Sequence, residues 1–176
     1  MIVINKNQRM KKYMIMILSI GFMGLSACSL DAPDVLTYEE QLAIFNAQLE
    51  SDIVLIDQYL DENEIVAIEH ESGIRYVTTL EGDGEVPVPT DVIKFKYEGR
   101  LFDDSIFDES LTKTPDWVIY SLNSLIASWQ ITIPLMKEGG KITIYAPSGY
   151  CYGTTGAGPI PPNTNLIFDI ELVSIQ

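Results

Sequence analysis

Regular alternation of apolar and polar residues is the feature that most constrains the fold of this chain. It recurs in three stretches, 93–98, 141–146 and 166–173, and a fourth strand-like stretch spans 74–80. Such period-two patterns are typical of strands that bury one face. Between the stretches 93–98 and 141–146 lies a short apolar segment, 124–133, which has the character of a helix. Several strands around one short helix predict an antiparallel α+β domain.

An amphipathic helix is predicted ahead of this domain. Thr37 and Glu40 have the spacing of a capping box, and apolar residues then recur every three or four positions. This apolar stripe consists of Leu42, Phe45, Leu49, Ile53, Ile56 and Leu60. We expect the helix over 37–62 and an acidic connector over 63–72. Three covering surfaces remain open for the stripe: the chain's own domain, a second copy of the helix in a homodimer, or a partner protein.

Residues 1–27 have the organisation of a bacterial lipoprotein signal peptide. Lys11 and Lys12 precede a run of fourteen apolar or small residues, which is shorter than a helix that spans a bilayer. The run ends in Leu-Ser-Ala-Cys, which looks like a lipobox in which Cys28 is lipidated and becomes the new N-terminus. The alternatives are a secretory peptide cleaved beside an unrelated cysteine and an uncleaved anchor helix.

These features predict a lipid-anchored protein of the bacterial cell envelope, at the outer membrane or a periplasmic face. A tether over 28–36 would separate the anchor from the helix. With Cys28 lipidated, Cys151 has no partner for an intramolecular disulfide. Met10 also begins a well-formed signal, so the start codon can be Met1 or Met10.

The charge balance excludes one class of partner. The chain has 11 basic and 25 acidic residues, a net charge of −14. Removal of residues 1–27 takes away four basic residues and no acidic one, which lowers the net charge to −18. Nucleic-acid binding requires clustered Lys and Arg, so no nucleic-acid partner is expected.

The residues of the common catalytic sites are missing from the sequence. Its one histidine, His70, stands in the acidic connector, which argues against a Ser-His-Asp or Cys-His site. No Cys/His cluster has zinc spacing, and no Lys follows the glycine-rich run 153–158. No metal or cofactor is expected. The C-terminal half is instead rich in aromatic residues, which are more often core than pocket: Tyr97, Phe102, Phe107, Trp117, Tyr120, Trp129, Tyr145, Tyr150, Tyr152 and Phe168.

Seven motifs contain most of these aromatic residues, and the motifs follow one another in a characteristic order and spacing. They are YEGRL (97–101), FDES (107–110), LIASW (125–129), LMKEG (135–139), YCYG (150–153), IPPN (160–163) and LIFDIEL (166–172). Together they resemble the FKBP-type peptidyl-prolyl cis-trans isomerases over essentially the whole of 73–176. The resemblance implies an antiparallel sheet wrapped around a short helix, with an apolar pocket between them.

The resemblance also implies a function and a set of site residues. The implied activity is isomerisation of X–Pro bonds in extracytoplasmic proteins, by stabilisation of the twisted amide in the apolar pocket. Proline-containing polypeptides are the implied substrates and macrolides the implied inhibitors. The catalytic positions are Tyr97, Phe107, Asp108, Trp129, Tyr152 and Phe168. The substrate-binding positions are Leu125, Ile126, Ile160 and Val118, where Val118 replaces an aromatic wall residue common in the family. The alternative function is a non-catalytic peptide-binding or chaperone lipoprotein on the same fold.

Two departures from the family pattern lie close to the expected pocket. Ser128 replaces the glycine that usually precedes the tryptophan, and Gly149 looks like a one-residue insertion before Tyr150. Both can alter the geometry of the pocket, although neither removes a pocket group.

The lipobox generates a direct prediction about Cys28. The wild-type protein should fractionate with membranes and incorporate a labelled fatty acid, whereas Cys28→Ala should neither mature nor take up label, because the acceptor thiol is gone. Label in the Cys28→Ala protein would refute lipidation at this residue.

Overall fold

The computed structural model describes residues 36–176, which form one compact unit. The predicted signal peptide, Cys28 and nearly all of the predicted tether lie outside the described residues. Within 36–176, no helix combines the length and apolar character needed to cross a membrane.

The first helix begins at the predicted capping box. Helix α1 spans Tyr38–Glu62. The Glu40 N–H donates to the Thr37 hydroxyl oxygen at 3.2 Å, and the Glu40 carboxylate accepts from the Thr37 N–H at 2.8 Å. These bonds satisfy backbone groups that the first helical turn leaves open. The helix ends at Asn63, whose N–H donates to the carbonyl of Tyr59 at 3.1 Å.

In the described residues, seven strands form one antiparallel sheet. The strands are β1 (Ile68–Glu69), β2 (Arg75–Leu80), β3 (Val92–Arg100), β4 (Ile106–Glu109), β5 (Val118–Ser121), β6 (Lys141–Ala146) and β7 (Leu166–Ile175). Their order is β1-β2-β6-β7-β3-β4, and β5 also pairs with β3. A short helix, α2 (Ala127–Thr132), packs on one face of the sheet. The predicted α+β class and the predicted wrapping of the sheet around a short helix are confirmed.

Alternation along the central strands places their side chains on two faces. Ile142 and Ile144 of β6 face the core that contains α2. Tyr145 of β6 and Ile167 of β7 point to the opposite face, where they join a second apolar cluster. The centre of the sheet is therefore covered on both sides, as its apolar composition at these positions requires.

Helix α1 supplies the cover on that second face. Its Ile56 and Leu60 are buried against Tyr145 and Ile167. An ion pair joins the same surfaces, since the Asp57 carboxylate accepts from Arg75 at 2.9 and 3.1 Å. Further along the stripe, Phe45 packs edge to face on Tyr150 at 5.6 Å, and Leu49 and Ile53 lie beside Gly73. Of the surfaces left open for the apolar stripe, the chain's own domain therefore covers most of it. Leu42, at the other end of the stripe, is 43% exposed.

The local structure differs from the sequence prediction in two places. The helix predicted over 124–133 is shorter, since α2 begins at Ala127 and ends at Thr132. At its C-terminal end, Pro134 lacks the N–H that the next α-helical hydrogen bond would need. A 3-10 turn, Ile133–Leu135, follows α2 instead. The other difference is β5, a four-residue strand that pairs with β3 and shows only a weak alternation.

The docking of α1 generates a stability prediction. Ile56→Ala removes a side chain that is 0% exposed, so the free energy of unfolding should fall by about 2–5 kcal/mol. Urea unfolding followed by circular dichroism measures it. Val54→Ala is the matched control on the same helix, because Val54 is 65% exposed and its truncation should change stability by no more than about 0.5 kcal/mol. Equal losses in the two variants would contradict the packing of α1 on the sheet.

Candidate active site

The site is built around Trp129, which α2 holds against the sheet. Its ring meets those of Phe95 and Tyr97 of β3 and Phe168 of β7, with centroid distances of 5.3, 5.2 and 5.2 Å. The interplanar angles of 85°, 68° and 90° are edge-to-face arrangements, which suit the charge distribution of aromatic rings. Trp129 is only 6% exposed, and its indole N–H has no hydrogen-bond partner among residues 36–176.

Above this floor opens a cavity of about 190 Å³. It is mostly walled by aromatic and aliphatic side chains. The lining residues are Phe95, Tyr97, Phe107, Asp108, Tyr120, Ser124, Leu125, Ile126, Trp129, Tyr152 and Phe168. A concave apolar site with a few polar groups is the usual form of a small-ligand or side-chain pocket.

Gly99 permits one wall of this cavity to form. A Cβ at Gly99 would lie 2.6 Å from the ring of Phe107 and 3.0 Å from that of Phe168. These two rings pack edge to face, with centroids 5.7 Å apart and planes at 89°. Any larger residue at this position of β3 would displace Phe107. Steric space for the Phe107 ring therefore explains the glycine of the YEGRL motif.

A polar cluster of three residues stands at one side of the cavity: Tyr97, Asp108 and Lys113. The Tyr97 hydroxyl donates to the Asp108 carboxylate at 2.5 Å. Lys113 Nζ donates to the Tyr97 hydroxyl at 3.1 Å and to the Asp108 carboxylate at 3.0 Å. The Glu109 N–H adds a fourth bond, to Asp108 at 2.9 Å. The carboxylate thus has a fixed orientation at the edge of an apolar pocket.

These contacts shift the pKa values of the cluster in consistent directions. Burial acts to raise the pKa of Asp108, but hydrogen bonds from Tyr97 and Lys113 outweigh it and hold that pKa below its ordinary value. Burial, followed by the bond to Asp108, raises the pKa of Tyr97. Hydrogen bonds to Tyr97 and Asp108 raise the pKa of Lys113. At neutral pH the cluster therefore contains a carboxylate, a neutral phenol and an ammonium group.

Tyr152 also lines the cavity, from the loop after β6. A 3-10 turn, Ser148–Tyr150, begins this loop. Tyr152 is half-buried, and burial raises the pKa of its hydroxyl, which stays a neutral donor.

Most of the residues predicted from the sequence meet in this cavity. They are Tyr97, Phe107, Asp108, Leu125, Ile126, Trp129, Tyr152 and Phe168. The structure does not bring Ile160 and Val118 to its lining. Ile160 is 5% exposed within the core, and its N–H and carbonyl both bond to Ala157. Val118 lies opposite Phe95 on β5 and packs against the core.

Three lining residues and one positively charged neighbour were not predicted. Phe95 lies two positions before Tyr97 on the same face of β3, so strand periodicity could have identified it. Tyr120 comes from β5 and, at 53% exposure, takes the wall role that was assigned to Val118. Ser124 and Lys113 follow no pattern that the sequence displays, since their positions depend on tertiary contacts.

A larger cleft, of about 350 Å³, lies elsewhere, over polar side chains of the sheet. Its charged groups already have partners: Lys141 pairs with Glu171 at 3.0 Å, Lys96 with Asp116 at 2.7 Å and Asp169 with Arg100 at 3.0 Å. The Thr143 hydroxyl likewise donates to Asp169 at 2.5 Å. Because these groups are neutralised locally, the aromatic cavity remains the candidate site.

Comparisons with known proteins point to one family. A family model described as FKBP-type peptidyl-prolyl cis-trans isomerase matches residues 83–173. The chain belongs to this family. It is 41% identical over 105 residues to the "Probable FKBP-type peptidyl-prolyl cis-trans isomerase FkpA" of Neisseria meningitidis serogroup B, an alignment covering 59% of this chain and 38% of that protein. It is 37% identical over 106 residues to the peptidyl-prolyl cis-trans isomerase Mip of Coxiella burnetii, covering 60% of this chain and 46% of Mip.

Solved structures of the family show the same fold. The crystal structure of FkpA from Escherichia coli superposes with a TM-score of 0.64 at 28% identity, covering 80% of this chain and 74% of that one. The chain spans about two fifths of the length of the FkpA relatives it matches, with coverage of 38% and 39%.

The two departures from the family pattern fit into this fold. Ser128 is fully buried, and its hydroxyl lies 3.6 Å from the Cys151 sulfur. Gly149 faces Phe45 of α1, and a Cβ there would lie 2.7 Å from the ring. Gly149 thus stands at a point where α1 approaches closely, and the cavity retains its lining.

Lys113 generates a prediction about ionisation. In Lys113→Gln the pKa of Asp108 should rise, because a hydrogen bond and an attractive charge are lost. A lowered folded-state pKa contributes stability above the unfolded value, about 3.9 for Asp, and this contribution disappears as pH falls through the folded value. The stability difference between wild type and Lys113→Gln should therefore shrink below about pH 4.

Carboxyl-detected NMR titration of Asp108 measures the pKa directly. Lys141→Gln is the control, because Lys141 pairs with Glu171 away from the cluster. The same Asp108 pKa in wild type and Lys113→Gln would mean that Lys113 does not hold the carboxylate.

Proposed function

We propose that this chain is a peptidyl-prolyl cis-trans isomerase that acts on X–Pro bonds of extracytoplasmic polypeptides. The observation that carries the proposal is the cavity of about 190 Å³ over Trp129, walled by aromatic rings. Membership of the family supports it. No nucleophile, metal or proton relay is required, because the reaction is rotation about a bond.

The chemistry needed is modest and suits an apolar pocket. Rotation of an X–Pro bond must break amide resonance, with a barrier of about 18–20 kcal/mol. The planar amide is charge-separated and well solvated, whereas the twisted amide carries less negative charge on its carbonyl oxygen. A dry aromatic pocket destabilises the planar amide more than the twisted one, which is differential stabilisation of the transition state.

The lining residues divide into two roles. Phe107, Trp129 and Phe168 form an apolar cup that would seat the proline ring, and their edge-to-face packing keeps the cup rigid. The Tyr152 hydroxyl and the backbone at Ile126 would hold the peptide by hydrogen bonds. These contacts restrict the orientation of the substrate, which lowers the entropic part of the barrier.

The polar cluster adds an electrostatic contribution. Asp108 lines the cavity and is held ionised by Tyr97 and Lys113. A carboxylate beside the bound amide repels negative charge on the carbonyl oxygen. Because that charge decreases as the amide twists, Asp108 favours the transition state over the planar ground state.

The cellular setting belongs to the same proposal. Lipidation at Cys28 would anchor the domain in the bacterial cell envelope, where unfolded secreted proteins are the available substrates. Macrolides that fill an apolar proline site are the expected inhibitors. Tyr38 and Leu42 lie one turn apart on the same face of α1 and are 78% and 43% exposed, which supports self-association through this helix. Sedimentation of the chain from Cys28 tests it.

Phe107→Ala tests the catalytic assignment. It should reduce kcat/KM on a proline tetrapeptide by about tenfold or more, equivalent to about 1.4 kcal/mol, because one wall of the cup is lost. Its cost in stability should stay below the roughly 3–5 kcal/mol of a fully buried Phe, since Phe107 is half-buried.

Tyr152→Phe should weaken macrolide binding by about 0.5–1.5 kcal/mol.

Phe102→Ala is the matched control. Phe102 is also half-buried, but its ring stacks on Tyr59 of α1 at 4.5 Å, outside the cavity. It should lose stability and keep its activity. If the folded wild type isomerises no proline peptide, the enzyme assignment is wrong and the peptide-binding alternative replaces it.

A further inference from the structure

A buried polar contact links α1 to the loop that carries Tyr152. Asp52 of α1 is 0% exposed, and so is Ser148 at the start of the loop. The Asp52 carboxylate accepts from the Ser148 N–H at 2.8 Å and from the Ser148 hydroxyl at 2.6 Å. Its other oxygen accepts from the side-chain amide of Gln48 at 2.8 Å.

Asn165, just before β7, completes the contact. Its side-chain oxygen accepts from the Ser148 N–H at 3.1 Å, and its side-chain amide donates to the Asp52 carbonyl at 3.1 Å. Three segments remote in sequence, the helix, the loop and the strand, are thereby joined by directional bonds in a buried site.

Ser148 connects the buried contact to the backbone on either side of Tyr152. Its carbonyl accepts from the N–H of Cys151 at 3.0 Å and from the N–H of Gly153 at 2.9 Å. These residues flank Tyr152 on both sides. The backbone that directs the Tyr152 side chain into the cavity is thus hydrogen-bonded to Ser148, and Ser148 is hydrogen-bonded to Asp52.

Stability alone does not account for such a contact. Buried polar groups add little net stability compared with well-packed apolar residues, and the same helix already docks through Ile56 and Leu60. Hydrogen bonds depend on direction and distance more strongly than apolar contacts do. They therefore fix the position of the loop more closely than apolar packing alone would. Functional side chains require such support, since small displacements reduce catalysis strongly.

We propose that Asp52 is a positioning residue of the isomerase site, acting through Ser148 on Tyr152. This makes α1 part of the scaffold of the site rather than a spacer between anchor and domain. The proposal deepens the proposed function and rests on it. Its structural half, namely that Asp52 fixes the loop that carries Tyr152, can be tested without an activity assay.

A second acidic residue on α1 supplies the matched control. Asp57 pairs with Arg75 of β2, so Asp57→Asn weakens the docking of α1 without touching Ser148. Asp52→Asn keeps the volume of the side chain and replaces one acceptor oxygen by a donor. Ser148→Ala removes the hydroxyl bond alone and serves where Asp52→Asn does not fold.

The activity experiment uses the full chain under conditions in which each variant is at least about 95% folded by its own unfolding curve. Asp52→Asn and Ser148→Ala should lower kcat/KM by about fivefold or more, whereas Asp57→Asn should stay within about twofold. In a Tyr152→Ala background the effect of Asp52→Asn should disappear, because the two changes act through one residue. Equal activity losses for Asp52→Asn and Asp57→Asn, or an undiminished effect in the Tyr152→Ala background, would overturn the proposal.

Hydrogen exchange tests the structural half independently. Protection of the Cys151 and Gly153 amides should fall in Asp52→Asn and be kept in Asp57→Asn. If the wild type is inactive, the proposed function fails, yet this exchange pattern would still show that Asp52 holds the Tyr152 loop. Unchanged protection at both amides in Asp52→Asn would refute the positioning role whatever the activity.

Discussion

Trp129 meets the sheet through ring edges, and this contact determines where α2 lies and where the cavity opens. Its partners Phe95 and Phe168 come from two adjacent strands, β3 and β7. Each aromatic pair contributes about 0.5–1.5 kcal/mol beyond simple burial, and edge-to-face geometry tolerates little sliding. Trp129 also lines the cavity, so the packing that docks the helix also forms the floor of the site.

The sheet can support this site because it is covered on both faces. Side chains at alternate positions of β6 and β7 pack against α2 on one face and α1 on the other. The cluster under α1 includes Tyr145 and Ile167, which would otherwise expose apolar surface at the centre of the sheet. A helix that the family motifs do not include therefore belongs to the structural unit that contains the cavity.

The sequence allows much of this to be predicted, because strand alternation, the capping box and the aromatic motifs are local patterns. The predicted cavity residues Phe107, Trp129 and Tyr152 do meet. What could not be predicted depends on pairing between remote segments. Tyr120 lines the cavity only because β5 pairs with β3, and the Asp52–Ser148 bond joins residues separated by 96 positions. No local period signals either contact.

Burial separates the residues that shape the fold from those that face the ligand. Trp129 and Phe168 are 6% and 1% exposed, so truncation of either creates a cavity in the core as well as a defect in the site. Phe107, Asp108 and Tyr152 are more exposed. Gly99 leaves room for the Phe107 ring, Lys113 bonds to Asp108, and Ser148 bonds to the residues on either side of Tyr152. Under the proposed function, a pocket that discriminates a planar from a twisted amide would need rigid walls and accessible polar groups. The contacts behind Phe107, Asp108 and Tyr152 are of the kind that would supply this rigidity.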